Sequence, residues 1–242
     1  MLNVAALIET RQFYHAFQPL RRLPGHSEFG YEALLRCTSS LDPGRLFQSA
    51  LEQNQLFSLD TWSIVHALSV FLQSEPAQDE TKLLFVNIFP STLVADGFPA
   101  FMDRLRKLYP SRLHRIVFEL NETVTEEKIW NAPLFLERID LIRSSGGQIA
   151  LDDVGEGTAS FRKIVEIAPD FIKIDRFFSN DLAAAVKKQQ VVRLFVDFCG
   201  ETGSTLVLEG IEREEDLALA VRLGVPVGQG YHLGKPAKLP GS

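Results

Sequence analysis

Seven short hydrophobic runs are spaced along the chain: FGYEALLR, KLLFVNIF, RIVFEL, GQIALDD, FIKID, STLVLEG and VPVGQGY. Most are rich in Val, Ile, Leu and Phe without polar alternation, the pattern of strands buried on both faces. Between them lie stretches with helical spacing, such as Leu59, Trp62, Val65, Leu68, Leu72, or Leu217, Ala220, Leu223 with a stop at Gly224. Strand followed by helix, repeated, predicts a parallel sheet. The runs end in polar groups at Glu32, Asn87, Glu119, the pair Asp152 and Asp153, Lys173, Glu209 and Gln229. In a (β/α)8 barrel the C-terminal strand ends surround one mouth, so groups scattered over the sequence converge. The expected fold is therefore an α/β barrel of the TIM type with one acidic site.

At 242 residues the chain has the length of one such barrel. A single domain over 1–242 is expected, with an ordered core of about 8–236 and a frayed tail after Pro236. The segment SEPAQDET reads as a surface loop. A hydrophobic fraction of 45% and a charged fraction of 23% suit a folded globular chain. Cys37 and Cys199 are far apart, with no CxxC and no neighbouring His, which predicts reduced thiols and a cytosolic protein, free-standing or cut from a larger one. No segment approaches the roughly 20 apolar residues of a membrane span. The formal charge of −6 argues against DNA or RNA polymers as partners, and a small anionic ligand would need cations.

Asp152 and Asp153 directly follow an apolar run and precede Gly155 and Gly157. Alone, such a pair reads as a turn or helix cap. Joined at one mouth by Glu32, Glu119, Glu209 and the amide of Asn87, it becomes an oxygen-only set that suits Mg²⁺ or Mn²⁺ better than zinc. Carboxylates holding two cations about 4 Å apart are a common layout for activating water against a phosphodiester. Lys173 could orient that water or a developing oxyanion, the alternative being a structural ion pair. Arg36 could present its fork to a phosphate or lie on the surface. Gln18 and Gln229 could read a base edge or a phosphate oxygen. Trp62, Trp130 and the phenylalanines are expected to fill the interface between barrel and helices. His66 and His114 read as surface or core residues. Arg104 to Lys107, with Arg112 and Arg115, read as a solvated helix end.

These residues fall in an ordered set of blocks that resembles the EAL domain, the bacterial phosphodiesterase domain for cyclic di-GMP. The signature stands as Glu32, Ala33, Leu34, continuing to Arg36, followed by VNIFPSTL, FELNET, IALDDVGEG, FIKIDRFF, LEGIE and GQGY. The resemblance covers nearly the whole chain and implies a modified barrel with one antiparallel strand.

It also implies roles. Glu32, Asn87, Glu119 and Asp152 would hold one divalent ion, and Asp152, Asp153 and Glu209 would hold or approach a second. Lys173 would hold the attacking water, and Glu209 would be general base or metal ligand. Gln18, Arg36, Glu212 and Gln229 would touch the dinucleotide. Asp175 would support the site, and Glu122 would steady the loop after the paired aspartates. The implied cofactors are two Mg²⁺ or Mn²⁺ ions, with Ca²⁺ binding but inhibiting. A homodimer through the loop after Asp153 is the implied partner.

The loop departs from the family pattern: Val154, Glu156, Thr158 and Ala159 stand where Phe, Thr, Tyr and Ser are usual. A slow enzyme with ordinary affinity is the expectation. The leading function is hydrolysis of cyclic di-GMP to the linear dinucleotide pGpG by metal-activated water. The alternative is a cyclic di-GMP receptor that signals to a partner, against which the retained acids speak. A Mg²⁺-assisted proton abstraction would use similar strand-end groups but leaves the ordered blocks unexplained.

Overall fold

The computed structural model describes residues 4–10, 12–38, 41–120, 127–130, 132–155 and 161–241. Glu122 and the loop positions Glu156, Thr158 and Ala159 lie outside the described residues. The eight strands are β1 (Phe13–Arg22), β2 (Glu28–Cys37), β3 (Leu83–Ile88), β4 (Ile116–Leu120), β5 (Gln148–Val154), β6 (Phe171–Ile174), β7 (Thr205–Leu208) and β8 (Val227–Gly228). They close in sequence order into one barrel. β1 runs antiparallel to both β2 and β8, and the other neighbouring pairs are parallel. The modified TIM-type barrel with one reversed strand is thus the fold. No helix among the described residues is long and apolar enough to cross a membrane.

Side-chain alternation along each strand sorts the residues into layers. Leu20, Phe29, Phe85, Val117, Ala150, Phe171, Val207 and Val227 form one buried cluster inside the barrel. The rings of Phe29, Phe85 and Phe171 lie 5.1–6.3 Å apart between centroids, at tilted or edge-on angles favourable to aromatic pairs. Two residues further along β3 to β8, on the same face by the period of a strand, stand Asn87, Glu119, Asp152, Lys173, Glu209 and Gln229. The apolar layer is the floor of the polar one. Outward-facing residues such as Leu84, Val86, Phe118 and Leu151 pack instead under the helices in a second, larger cluster. Trp130 joins that cluster, and Trp62 packs against a third, around Leu46 and Leu59.

Two expectations are corrected here. Arg115 is fully buried instead of solvated. Its guanidinium donates to the carbonyls of Lys82, Ala77 and Asp79 at 2.9–3.0 Å, gathering the segment before β3, part of which is a short 3-10 turn. The tail after Pro236 is not frayed. β1 meets β8 only at Arg21 and Arg22, which leaves the upper part of β1 with an open edge. Ala237 fills that edge, exchanging backbone hydrogen bonds with Phe17 at 2.7 and 3.0 Å, while Leu239 is buried and Pro240 accepts from the Glu75 N–H.

Candidate functional site

Lys173 is the centre of the barrel mouth. Its side chain is 0% exposed, and its Nζ lies 2.7 Å from Glu119 Oε1, 2.9 Å from both Asp152 Oδ1 and Glu209 Oε1, and 3.6 Å from Glu32 Oε2. Gln229 Nε2 donates to Glu32 Oε2 at 2.6 Å, and Asn87 Nδ2 lies 3.4 Å from Glu32 and 3.5 Å from Glu119. Gln18, level with Glu32 in the β1–β2 register, donates to the Gly234 carbonyl at 3.2 Å. Each strand from β2 to β6 therefore supplies one of these groups, the residues directly after β7 and β8 supply Glu209 and Gln229, and β1 supplies Gln18.

Asp152 and Asp153 need a local distortion to serve the same mouth, since adjacent residues in a regular strand point to opposite faces. β5 slips register against β6 between Leu151 and Val154, and Asp153 adopts a left-handed backbone with φ of 52°. The result is a triad: carboxylate oxygens of Asp152, Asp153 and Glu209 all lie within 4.8 Å of one another. A non-glycine residue in that conformation carries strain, which persists only where the surroundings impose it.

Burial sets the electrostatics. It pushes the carboxyls of Glu119, Asp152 and Glu209 upward against the opposing pull of the Lys173 ammonium, Glu119 and Glu209 well above the usual carboxylate range. Burial also opposes the charge of Lys173, but Asp152, Glu119, Glu209 and Glu32 together outweigh it and hold the ammonium well above its ordinary value. One ammonium cannot balance this many acids. The donor set, hard oxygens with excess negative charge and a compact triad, fits divalent cations.

Two cavities adjoin the cluster. A mouth cavity of about 250 Å³ is lined by Gln18, Glu32, Asp153, Asp175, Glu209, Glu212 and Gln229, together with Arg176 and Tyr231. Asp175 also caps the next helix, accepting from Phe177 N–H at 2.8 Å. A second, mostly apolar slot of about 260 Å³ lies between β2, β3 and the helix Leu56–Gln73, lined by Arg36, Asn87, Asp60, His15, Ser63 and Phe89 among others. Asn87 joins the slot to the acidic cluster through its contacts with Glu32 and Glu119. Sequence reasoning missed Asp60, His15, Arg176 and Tyr231. Asp60 had a signal, an acid within an apolar helical stripe. It is buried and accepts the Phe89 N–H at 3.0 Å, pinning the end of β3.

A model of the EAL domain family matches residues 2–236. This chain belongs to the EAL domain family. Among curated relatives it is 28% identical to the cyclic di-GMP phosphodiesterase PdeB of Shewanella oneidensis, over 98% of this chain, and 27% identical to PdeF of Escherichia coli, over 99%. The chain spans 28% and 32% of the length of those two proteins. Solved structures with the same fold include the PaMucR phosphodiesterase in complex with c-di-GMP, at TM-score 0.83 and 23% identity, covering 99% of this chain and 98% of that one. The manganese and c-di-GMP complex of BlrP1 from Klebsiella pneumoniae matches at TM-score 0.82 and 24% identity, over 95% of this EAL domain and 57% of that chain.

Proposed function

We propose that this EAL domain is a divalent-cation-dependent phosphodiesterase that opens cyclic di-GMP to linear pGpG. The observation that carries the reading is the convergence of Glu119, Asp152 and Glu209 on Lys173 beside the Asp153 triad. Curated EAL relatives named as cyclic di-GMP phosphodiesterases support it.

The residues that would hold Mg²⁺ or Mn²⁺ are Glu32, Asn87, Glu119 and Asp152 for one ion and Asp152, Asp153 and Glu209 for a second. Bound there, the ions would supply charge neutralisation on the phosphodiester and acidify water. An ammonium has three hydrogens, and three carboxylate oxygens lie within 2.9 Å of Lys173 Nζ. Lys173 can therefore hold the attacking water only when one of those acids turns to another partner. Glu209, at the edge of the cluster and open to the mouth cavity, is placed to take the proton from that water. Arg36 presents its guanidinium to a phosphate, and Gln18, Gln229 and Glu212 orient the dinucleotide. The apolar slot beside Arg36 offers buried walls for a base.

Exposed Phe161, Val165, Phe177 and Leu194 lie on the helices that follow β5 and β6. They support a homodimer on that side, checked by sedimentation equilibrium. Incubation with cyclic di-GMP and Mg²⁺ or Mn²⁺, with the product resolved by chromatography, tests the activity. Appearance of pGpG supports cleavage. Tight binding without product would turn the reading to a receptor, a role that the intact acid set argues against.

A further inference from the structure

We propose that Arg176 is a phosphate-binding residue of this mouth, an assignment that rests on the dinucleotide reading above. Among the described residues Arg176 is the one cation lining the mouth cavity. Carboxylates of Asp153, Asp175, Glu209 and Glu212 line the same space, yet the Arg176 guanidinium forms an ion pair with none of them. A solvated arginine at such a rim would be expected to fall onto the nearest acid. The root of Arg176 is fixed. Asp175 caps the turn by accepting from Phe177, and Ser179 Oγ donates to the Arg176 carbonyl at 3.0 Å. From the other side the backbone of Gly210 presses against it. A Cβ added at Gly210, whose φ is +66°, would overlap the Cβ of Arg176. The glycine that follows Glu209 thus lets the root of Arg176 lie against the segment that carries this acid.

The charge balance gives the fork a use. Cyclic di-GMP carries two phosphodiester anions into a cavity walled by acids, and like charges repel. Arg36 lies on the β2 side, by the apolar slot. Arg176 follows β6, four strands away in an eight-stranded barrel and so across the mouth. Two arginines carried on opposite sides of the barrel match a ligand with two phosphates. A planar fork suits phosphate oxygens better than an ammonium does.

The test is calorimetric binding of cyclic di-GMP in Ca²⁺, at low and high KCl, for wild type, Arg176→Ala, Arg176→Lys and Gly210→Ala, with kcat and KM measured in Mg²⁺. The expected result for Arg176→Ala is a loss of affinity of about tenfold that narrows as salt rises, as for a screened phosphate contact. KM should rise by a similar factor while kcat changes less than about threefold. Arg176→Lys should recover part of the affinity, and Gly210→Ala should weaken binding by displacing the arginine. Circular dichroism and melting confirm that each variant folds. Affinity within about twofold of wild type for folded Arg176→Ala overturns the assignment. So does a loss that salt leaves unchanged, which would mark contact with a base edge instead. If the wild type neither binds nor cleaves the dinucleotide, the reading of the whole site fails and this assignment with it. That outcome is distinct, because wild type and variants then coincide.

Discussion

Lys173 and Glu119 form an ion pair of 2.7 Å in which neither side chain has any exposure to solvent. A buried pair of this kind is weak evidence for stability in itself, since both charges lose water. Breaking it by removing one partner strands the other. Here the stranded groups would be three acids at once.

Lys173→Met should therefore lower the stability of the cation-free protein by about 3–5 kcal/mol, read from chemical denaturation. Cleavage should fall by on the order of a thousandfold, as for loss of a group that positions the nucleophile. Stability unchanged in the absence of cations would show that the acids already carry protons enough to do without the lysine.

Asp152→Ala or Glu209→Gln should abolish cleavage with the fold intact, because each removes a ligand or base from groups that act as a unit. Turnover within about tenfold of wild type would count against their assignment. Ca²⁺ should bind wild type and support little cleavage, since its oxygen distances of about 2.3–2.6 Å loosen the geometry that in-line attack needs.

Cation binding should stabilise the protein more as pH rises. The folded carboxyls of Glu119, Asp152 and Glu209 are raised by burial. Without cations the native state thus holds protons that the unfolded chain releases above its ordinary carboxyl values of 3.8–4.5. Their contribution is full below those values and is lost as pH climbs through the folded ones. Divalent cations take the place of the protons, so the gain in Tm on adding Mn²⁺ should be larger at pH 8 than at pH 6, measured by differential scanning fluorimetry. An equal gain at both would mean that these acids are ionised throughout.

His15 should produce a trend of its own. Burial, then the neighbouring His66 and Arg36, push its imidazole down to about 3 from 6.5. Its Nδ1 faces His66 Nδ1 at 2.9 Å and its Nε2 faces Ser63 Oγ at 3.0 Å. A lowered imidazole contributes stability above pH 6.5 that drains away as pH falls toward 3, because only the unfolded chain takes up the proton. With Mn²⁺ saturating, the stability difference between wild type and His15→Phe should shrink between pH 7.5 and 5.5. A constant difference would show that the folded ring takes up its proton over the same pH range as the unfolded chain.

Arg115→Met should destabilise by about 3 kcal/mol, because the carbonyls of Ala77, Asp79 and Lys82 lose a charged donor in a buried place. Arg115 precedes β4, at the end of the barrel away from the mouth. KM for the dinucleotide should stay at the wild-type value below the new Tm.

The barrel and most of its site were legible because a parallel barrel brings strand ends together, and the ends here are polar residues after apolar runs. The step of two from Phe85 to Asn87, Val117 to Glu119 and Phe171 to Lys173 is the physical content of that pattern, a floor with reactive groups above it. β1 was harder to see. His15, Gln18 and Pro19 interrupt its apolar run, and its pairing depends on partners from both ends of the chain. Arg115 looked like its surface neighbours, since nothing local reveals that distant carbonyls will surround it. The left-handed turn at Asp153 was equally hidden, because Asp tolerates that conformation without requiring it.

The pairing of Ala237 with Phe17 has a consequence in time. During synthesis β1 emerges early, with one flank satisfied by β2 and the other bare. Its closing partners, β8 and the segment around Ala237, leave the ribosome only after all the intervening strands. The seam is also the contact of greatest sequence separation in the barrel, so it carries the largest loop-closure entropy and forms late. Until then the edge of β1 is a place where a chaperone, or another nascent copy, can add a strand of its own.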